Sequence, residues 1–501
     1  MKYFSLENTD NSSLFTCVLV GILGWILAYN SMSDLFLTFI AASLVFLLLL
    51  QICLIYRQIF LFSILVTIGV IIWTWVWYFN AQDISENSQK IDVFYGLYSD
   101  YTGEVHKVYR RSDFYDEYVL ELESVSGIYF SGNVLYLLRV PKNFILEPEQ
   151  KISHSWVMYP LEDFDGFAYN KFMLSQNIYF STSSTNLDTL SHNTDSIKYK
   201  MYTLREGLLN NISDIFPSRE AIFLGWILFW ARENIPSDLK EDFNNSWLTH
   251  FIAVSGFNIT LCIIFMTYIF GFLPRYIRSV LVIISIVAFS FFVWLWAPVV
   301  RAAIMWALWY IFLQSWNKSN TLTLIAFTAV LMGLFSPLSL NYDVSLHLSF
   351  LAVIGIVYTQ EIFSKLFSWI PSTFAIREAF VLTLSALSFS LPIMMFQFWQ
   401  ISLLAPIANI AVTWTIPLAM LWGSLTLIGD YFSFYLGQIF WFITWILLRY
   451  DIAMVEYFWN IEGALLRVDF GLYAHYLQIL YFLILTYILI MYNTSKKKNQ
   501  Y

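Results

Sequence analysis

Charge is what this 501-residue chain lacks most: Asp, Glu, Lys and Arg together make up 12 % of it, about half the roughly 25 % of ordinary soluble domains. With 58 % apolar residues and a mean hydropathy of +0.62, a soluble globule is excluded and most of the chain must be solvated by lipid. A basic surplus is lacking too, since 27 Lys and Arg face 35 Asp and Glu, which excludes a broad cationic surface that gathers nucleic acid. Only three cysteines are present, Cys17, Cys53 and Cys262, each single inside an apolar run, so no disulfide framework or cysteine-rich zinc site is expected. No Gly-rich loop ending in Gly-Lys-Ser/Thr occurs, which excludes a Walker-type ATP site. His-Glu-x-x-His and His-x-His-x-Asp are missing as well, and with them any recognisable hydrolytic zinc site. The expectation is a chain with no catalytic residues, no metal and no cofactor.

What is abundant is apolar sequence, with 20 Trp, 32 Tyr and 46 Phe. A hydrocarbon core about 30 Å thick needs about 20 apolar residues of helix, and about twelve stretches approach that length. Three come early: Phe15 to Tyr29, Leu35 to Tyr56 and Ile59 to Phe79. Nine come late: Trp247 to Phe272, Ile277 to Trp296, Val299 to Trp316, Leu322 to Phe335, Val344 to Glu361, Ala379 to Gln397, Leu403 to Ile428, Tyr435 to Met454 and Tyr476 to Tyr492. The first run follows Lys2, Glu7 and Asp10 with no small-residue cleavage site after it, so it reads as a retained span. Lysine and arginine concentrate in alternate short loops, at Arg57, Arg275 and Arg278, Lys318, Lys365 and Arg377, and Lys496 to Lys498. Both termini are therefore predicted to be cytoplasmic, with residues 80–246 facing outward. Arg205, Arg219, Arg232, Arg301 and Arg467 stand outside this pattern.

The expected organisation is a three-span segment over residues 1–90, a β domain over 91–190, an amphipathic connector over 191–246 and a multi-span domain over 247–495. Between Asp92 and Asp165 the pattern becomes short and alternating, as in Leu120-Glu-Leu-Glu123, Val134 to Val140 and Trp156 to Tyr159. That is the signature of half-buried strands. Turn chemistry separates them at Ser126-Gly127, Ser131-Gly132, Pro141-Lys-Asn143 and Glu147-Pro-Glu149. About five short strands would make a small barrel, with the oligonucleotide-binding fold as one candidate. This segment carries thirteen acidic residues against six basic, a net of −7. A single-strand groove needs cations and stacking aromatics, so Lys107, Arg110 and Arg111 read either as a local phosphate contact or as a solvated strand edge. Further on, Leu204, Leu208, Ile212 and Ile215 form one helical stripe, suited to the membrane interface or to capping the β domain.

Polar groups inside apolar runs are costly unless partnered or wetted, so each is a candidate for a path or a site. His250-Phe-Ile-Ala-Val-Ser-Gly-Phe-Asn258 places His250, Val254 and Asn258 within an arc of about 80° of one helix, with Ser255 further round. Gly256 permits a break or a close contact. The segment reads as a polar cavity lip or as a small-residue packing seam. Pro298-Val-Val-Arg301 sets an arginine one turn into a helix, and snorkelling to the interface is its cheapest solution. Asp343-Val-Ser-Leu-His347-Leu-Ser349 pairs Asp343 with His347 at helical spacing, as a proton relay or a helix-end contact. Pro406-Ile-Ala-Asn409, followed by Pro417, frees carbonyls that Asn409 would satisfy, or sets Asn409 on a wet cavity.

These segments, in this order, resemble the ComEC/Rec2 family of competence proteins. The resemblance rests on Phe223-Leu-Gly-Trp226, on His250 to Asn258 with Ala253-Val-Ser-Gly256 at its centre, and on Arg301, Ala302 and Met305. It continues through Leu348-Ser-Phe-Leu-Ala352 and Pro406 with Asn409, with Gly166 to Tyr169 closing the amino-terminal module. Asn258 departs from the second histidine usual there, and His347 stands where glutamine is more usual. The metallo-β-lactamase-like domain common after the last span finds no counterpart in this sequence, so no nuclease activity is expected of it.

The resemblance implies a polytopic α-helical protein of the bacterial plasma membrane with an external oligonucleotide-binding-like domain. It implies conduction of single-stranded DNA, fed by an external DNA receptor and drawn by a cytoplasmic ATP-dependent translocase. The path would be lined by His250, Ser255, Gly256, Asn258, Arg301, His347, Ser349 and Asn409. Two other readings stay open: a small-solute transporter with broken helices at midplane, and an intramembrane hydrolase built on Ser255 and His250, which needs those side chains within hydrogen-bond reach.

Overall fold

The computed structural model describes most of residues 82–231, 256–293, 299–307, 321–370, 376–461 and 465–467, with isolated positions between and beyond them. The first three predicted spans and most of the last lie outside the described residues. Contacts divide the chain into two units, one holding the β domain with Arg301–Leu346, the other holding Asp195–Val300 and the chain from His347 onward.

The β domain contains a mixed sheet. Its strands are β1 (Tyr98–Arg111), β2 (Tyr115–Val125), β3 (Ile128–Tyr129), β4 (Leu135–Pro141), β5 (Gln150–Val157), β6 (Tyr159–Pro160), β7 (Ile178–Ser183) and β8 (Asp188–His192), with α1 (Tyr169–Leu174) before β7. The order is β6-β7-β4-β2-β1-β5-β8, with β3 on β2. The pairings β1–β5, β2–β3, β2–β4, β5–β8 and β6–β7 are antiparallel, and β4 with β7 is parallel. After Met158, β5 runs straight into β6. A single bent segment thus pairs with β1 at its start and with β7 at its end.

The alternation that predicted these strands also explains their packing. Tyr118, Leu120 and Leu122 of β2 and Tyr136, Leu138 and Val140 of β4 join one core, with Tyr101, Val105, Ile152 and Phe180. Their neighbours Val119, Leu135 and Leu137 point the other way, into a second cluster with Met173 of α1 and Ile178. Both faces of β4 are buried, which is why Val134 to Val140 is almost continuously apolar. The Ser126-Gly127 turn has φ of 48° and 82°, the two positive angles a tight hairpin of this hand requires. Gly103 is fixed by crowding, since a Cβ there would lie 2.8 Å from the Glu121 carbonyl oxygen and 2.9 Å from Tyr136 Oη.

Helices with both ends among the described residues are α2 (Ile197–Ile215), α3 (Ser218–Phe229), α4 (Gly256–Ile269), α5 (Arg275–Phe292), α6 (Thr321–Phe335), α7 (Ser339–Tyr342), α8 (Val344–Leu366), α9 (Ile376–Phe398), α10 (Ala405–Thr413), α11 (Thr415–Phe432) and α12 (Phe434–Trp459). Among the described residues four stretches are long and apolar enough to cross a bilayer: Val344–Leu366, Arg377–Met395, Ile407–Phe432 and Tyr435–Phe458. Four such helices and a mixed-sheet domain fit a membrane protein with a β domain.

Helices α3, α10, α11 and α12 share one core, including Phe223, Leu224, Trp226, Val412, Ile416, Leu448 and Ile452. Close approach is set by small residues, as in lipid-embedded packing generally. A Cβ on Gly423 would lie 2.6 Å from Leu224 Cδ1. Between α11 and α12 the hydroxyls of Thr426 and Thr444 bond at 3.0 Å. Between α8 and α9 a Cβ on Gly355 would collide with the Ser385 carbonyl.

One stripe is rotated from its predicted position. Ser196 caps α2 through the Tyr199 amide at 3.0 Å, and the buried face carries Tyr202, Arg205, Leu209 and Ile212, while Leu204 is exposed. The long side chain of Arg205 decides this. It is buried, and its Nε donates to the Phe229 carbonyl at 3.1 Å, satisfying a C-terminal carbonyl of α3. Arg205 therefore stood outside the loop-charge pattern because it caps a helix.

Candidate functional site

Arg301 lies in a helical stretch, residues 299–307, and is 3 % exposed. It does not snorkel. Its Nη1 approaches Asp343 Oδ2 at 3.4 Å and donates to Ser345 Oγ at 3.2 Å, and its Nη2 donates to the Ser345 carbonyl at 3.1 Å. Nε has no protein partner among the described residues. The partner is built by a helix start. Asp343 precedes α8, and its Oδ1 accepts the amides of Ser345 at 3.0 Å and Leu346 at 3.3 Å, the bonds of an N-cap. The Ser345 hydroxyl also donates to that oxygen, so Ser345 bridges both charges.

Asp343 sits outside the helix and turns its carboxylate to Arg301, because a buried guanidinium without a counter-charge costs far more than a relaxed helix end. His347 and Ser349 follow on α8, both half-buried. His347 is itself engaged.

In the second unit Asn409 is buried on α10, 6 % exposed. Its Nδ2 donates to Thr383 Oγ1 of α9 at 3.4 Å, while Oδ1 has no partner among the described residues. Pro406 lies in the first turn of α10 and Pro417 in the first turn of α11. Neither frees a carbonyl, since first-turn amides lack intrahelical partners anyway. The proline that does so is Pro392, inside α9. It leaves the Ser388 carbonyl unclaimed, and Tyr481 Oη donates to that carbonyl at 2.9 Å.

Of the segment from His250 to Asn258, Gly256 and Asn258 open α4, while His250 and Ser255 lie outside the described residues. On the β domain Arg110 is exposed, whereas Lys107 and Arg111 are half-buried and already engaged. Two of the domain's other cations are also paired, Arg139 with Glu117 at 2.7 Å and Lys151 with Glu123 at 2.5 Å.

Three polar sites escaped sequence reasoning. Asp451 is fully buried on α12 and bonded to the Thr415 hydroxyl. A lone aspartate in an apolar run was the available signal. Pro392 with Tyr481 was visible only as a proline inside a span. Inside the β core, His154 is 3 % exposed and stacks on Tyr101 at 4.9 Å, and its Nε2 meets Tyr136 Oη at 3.1 Å. Burial lowers the His154 pKa from 6.5 to about 4. Burial likewise pushes the Tyr101 hydroxyl up to about 12. No groups of three or more metal-ligating side chains occur among the described residues.

The chain is similar to ComE operon protein 3 of Bacillus subtilis (strain 168), 22 % identical over 242 residues that cover 48 % of this chain and 30 % of that protein. It is also similar to an uncharacterized protein of Aquifex aeolicus (strain VF5), 31 % identical over 144 residues, 28 % of this chain and 34 % of the relative. The chain spans about a third of the length of these curated relatives. No solved structure matches it. The model of the competence protein family matches residues 227–495, more than half of the chain and the part that carries Arg301, Asp343 and Asn409. The protein belongs to the competence protein family.

Proposed function

We propose that this chain is the membrane conduit through which single-stranded DNA enters the bacterial cytoplasm during natural transformation. The observation that carries the reading is Arg301. Its guanidinium is buried at a helix start, tethered on one side by Asp343 and Ser345 and with Nε uncommitted among the described residues. A cation held in place, with donor capacity left over, suits brief contact with passing phosphates. Asn409 Oδ1, buried and unpartnered among the described residues, supports a hydrated lining elsewhere in the helices. His250, Ser255, Gly256, Asn258, His347 and Ser349 complete the proposed lining.

The reading places about twelve spans in the plasma (inner) membrane, with both termini cytoplasmic and the β domain outside. The bent β5–β6 segment, pairing with β1 and β7, supports a small barrel of the oligonucleotide-binding kind, with Lys107, Arg110 and Arg111 as its DNA contacts. The chain is given no catalytic step. Capture falls to an external DNA receptor and driving force to a cytoplasmic ATP-dependent translocase. A small-solute transporter is the second reading, favoured by the break between α10 and α11 at Trp414 and by Pro392.

The test is entry of labelled single-stranded DNA into cells and proteoliposomes carrying the full chain, with Arg301→Ala and His250→Ala as perturbations. Uptake is expected to fall at least tenfold in each variant at equal protein levels. Uptake that persists when the chain is deleted would falsify the conduit. Saturable small-solute flux without DNA entry would favour the transporter.

A further inference from the structure

Asp451 lies about two-thirds of the way along α12, within the apolar stretch Tyr435–Phe458, and none of its surface reaches solvent. Its neighbours Leu448, Ile452 and Val455 belong to the shared core of α3, α10, α11 and α12. Helices α3, α10 and α11 pack around it, and the charged groups of α3 and α12 pair with one another. Arg219 of α3 meets Glu456 at 2.6 Å, Arg449 meets Glu220 of α3 at 3.8 Å, and Tyr450 Oη donates to the Ala411 carbonyl at 3.2 Å. Helix α10 carries no ionisable side chain. On α11 the ionisable groups are Asp430 and Tyr431, about 22 Å along the helix from Thr415 at 1.5 Å per residue. Among the described residues no cation pairs with Asp451, and its Oδ2 has no partner at all.

The decisive feature is a proton count at Thr415. Its Oγ1 lies 2.6 Å from the Val412 carbonyl and also bonds to Asp451 Oδ1. A threonine hydroxyl has one proton to donate, yet a carbonyl and a carboxylate are both acceptors only. Two bonds from one hydroxyl oxygen to two such acceptors are one proton short. A proton on Asp451 closes the count: Thr415 donates to Val412, and the carboxyl donates to Thr415. The same proton removes the cost of burying an uncompensated charge among aliphatic side chains, leaving only that of a bonded polar group.

We infer that Asp451 and Thr415 form a proton-binding site inside the membrane-spanning helices, with Asp451 holding its proton as a neutral carboxyl that donates to Thr415. The site ties proton occupancy to the contact between α11 and α12. Loss of the proton would place two acceptors against one hydroxyl and a bare charge in the core.

Infrared difference spectroscopy on the full chain in lipid at neutral pH tests this, with isotope-labelled aspartate to assign the band. Subtracting the spectrum of Asp451→Asn is expected to reveal a carboxylic-acid carbonyl stretch that the variant has lost. Thr415→Val is expected to keep that band and move it to higher frequency, because the carboxyl no longer has an acceptor. Carboxylate stretches in place of the acid band, whether or not they respond to sodium, would overturn the proposal. If Asp451→Asn fails to fold, the Thr415→Val arm decides alone: a shifted acid band supports the site, and an unchanged spectrum refutes it.

Discussion

Removing one member of the Arg301, Asp343 and Ser345 group tests the reasoning most sharply, because the structure ranks the outcomes. The side chains of Arg301 and Asp343 are 4 % and 9 % exposed, so the pair counts as buried, and breaking such a pair from one side costs about 3–5 kcal/mol. Asp343→Asn removes the charge but keeps an oxygen for the Ser345 and Leu346 amides, so about 3 kcal/mol is expected. Asp343→Ala also removes the cap, adding about 1 kcal/mol. Arg301→Met should cost least, about 2 kcal/mol, because the stranded carboxylate keeps the two amides and the Ser345 hydroxyl as donors. Arg301→Met with Asp343→Asn should cost less than the sum of the singles by about 2 kcal/mol, since each single variant strands a charge and the double variant strands none. Hydrogen exchange of peptides spanning residues 339–350, measured on the full chain in detergent, reads local opening where a global transition is not two-state. Strict additivity, or an Asp343→Asn cost below about 0.5 kcal/mol, would refute the claim that the two charges hold each other.

Three further outcomes follow from the same geometry. The His154 pKa is lowered to about 4, so between pH 6.5 and 4 the unfolded chain binds more protons than the folded one. The β domain should lose about 3 kcal/mol over that window as pH falls, and nothing more from this group below it. Exchange of β5 amides against pH measures this, and His154→Gln should flatten the slope. Gly355→Ala would place a Cβ against the Ser385 carbonyl, which has no side-chain freedom to yield. A cost of about 1–3 kcal/mol is expected, and a thermal midpoint equal to wild type would contradict it. Tyr481→Phe removes the donor to the Ser388 carbonyl opposite Pro392, for about 1 kcal/mol. Pro392→Ala, which supplies an amide in its place, should relieve that loss in the double variant.

Local pattern was legible where it depends on neighbours in sequence. The apolar runs read as Val344 to Glu361, Ala379 to Gln397 and Tyr435 to Met454 are the helices Val344–Leu366, Ile376–Phe398 and Phe434–Trp459. The run from Leu403 to Ile428 is two helices, α10 and α11, meeting at Trp414. Alternation placed β2 and β4, and Ser126-Gly127 marked the hairpin. The count of strands was less legible. About five were expected between Asp92 and Asp165, whereas the sheet has eight, because two-residue strands such as β3 and β6 are too short to show a period and β7 and β8 follow Asp165.

Sequence by itself determined that this chain belongs in lipid with a β-rich insert, and it picked out Arg301 and Asn409, because transfer cost and side-chain period are properties of adjacent residues. Tertiary structure alone decided what those polar groups do. Arg301 finds Asp343 forty-two positions away, Tyr481 answers Pro392 across 93 positions to Ser388, and Arg205 turns the buried stripe of α2 toward the end of α3. A buried charge or stranded carbonyl must be met by whichever donor or acceptor packing brings near, and no local periodicity encodes that choice.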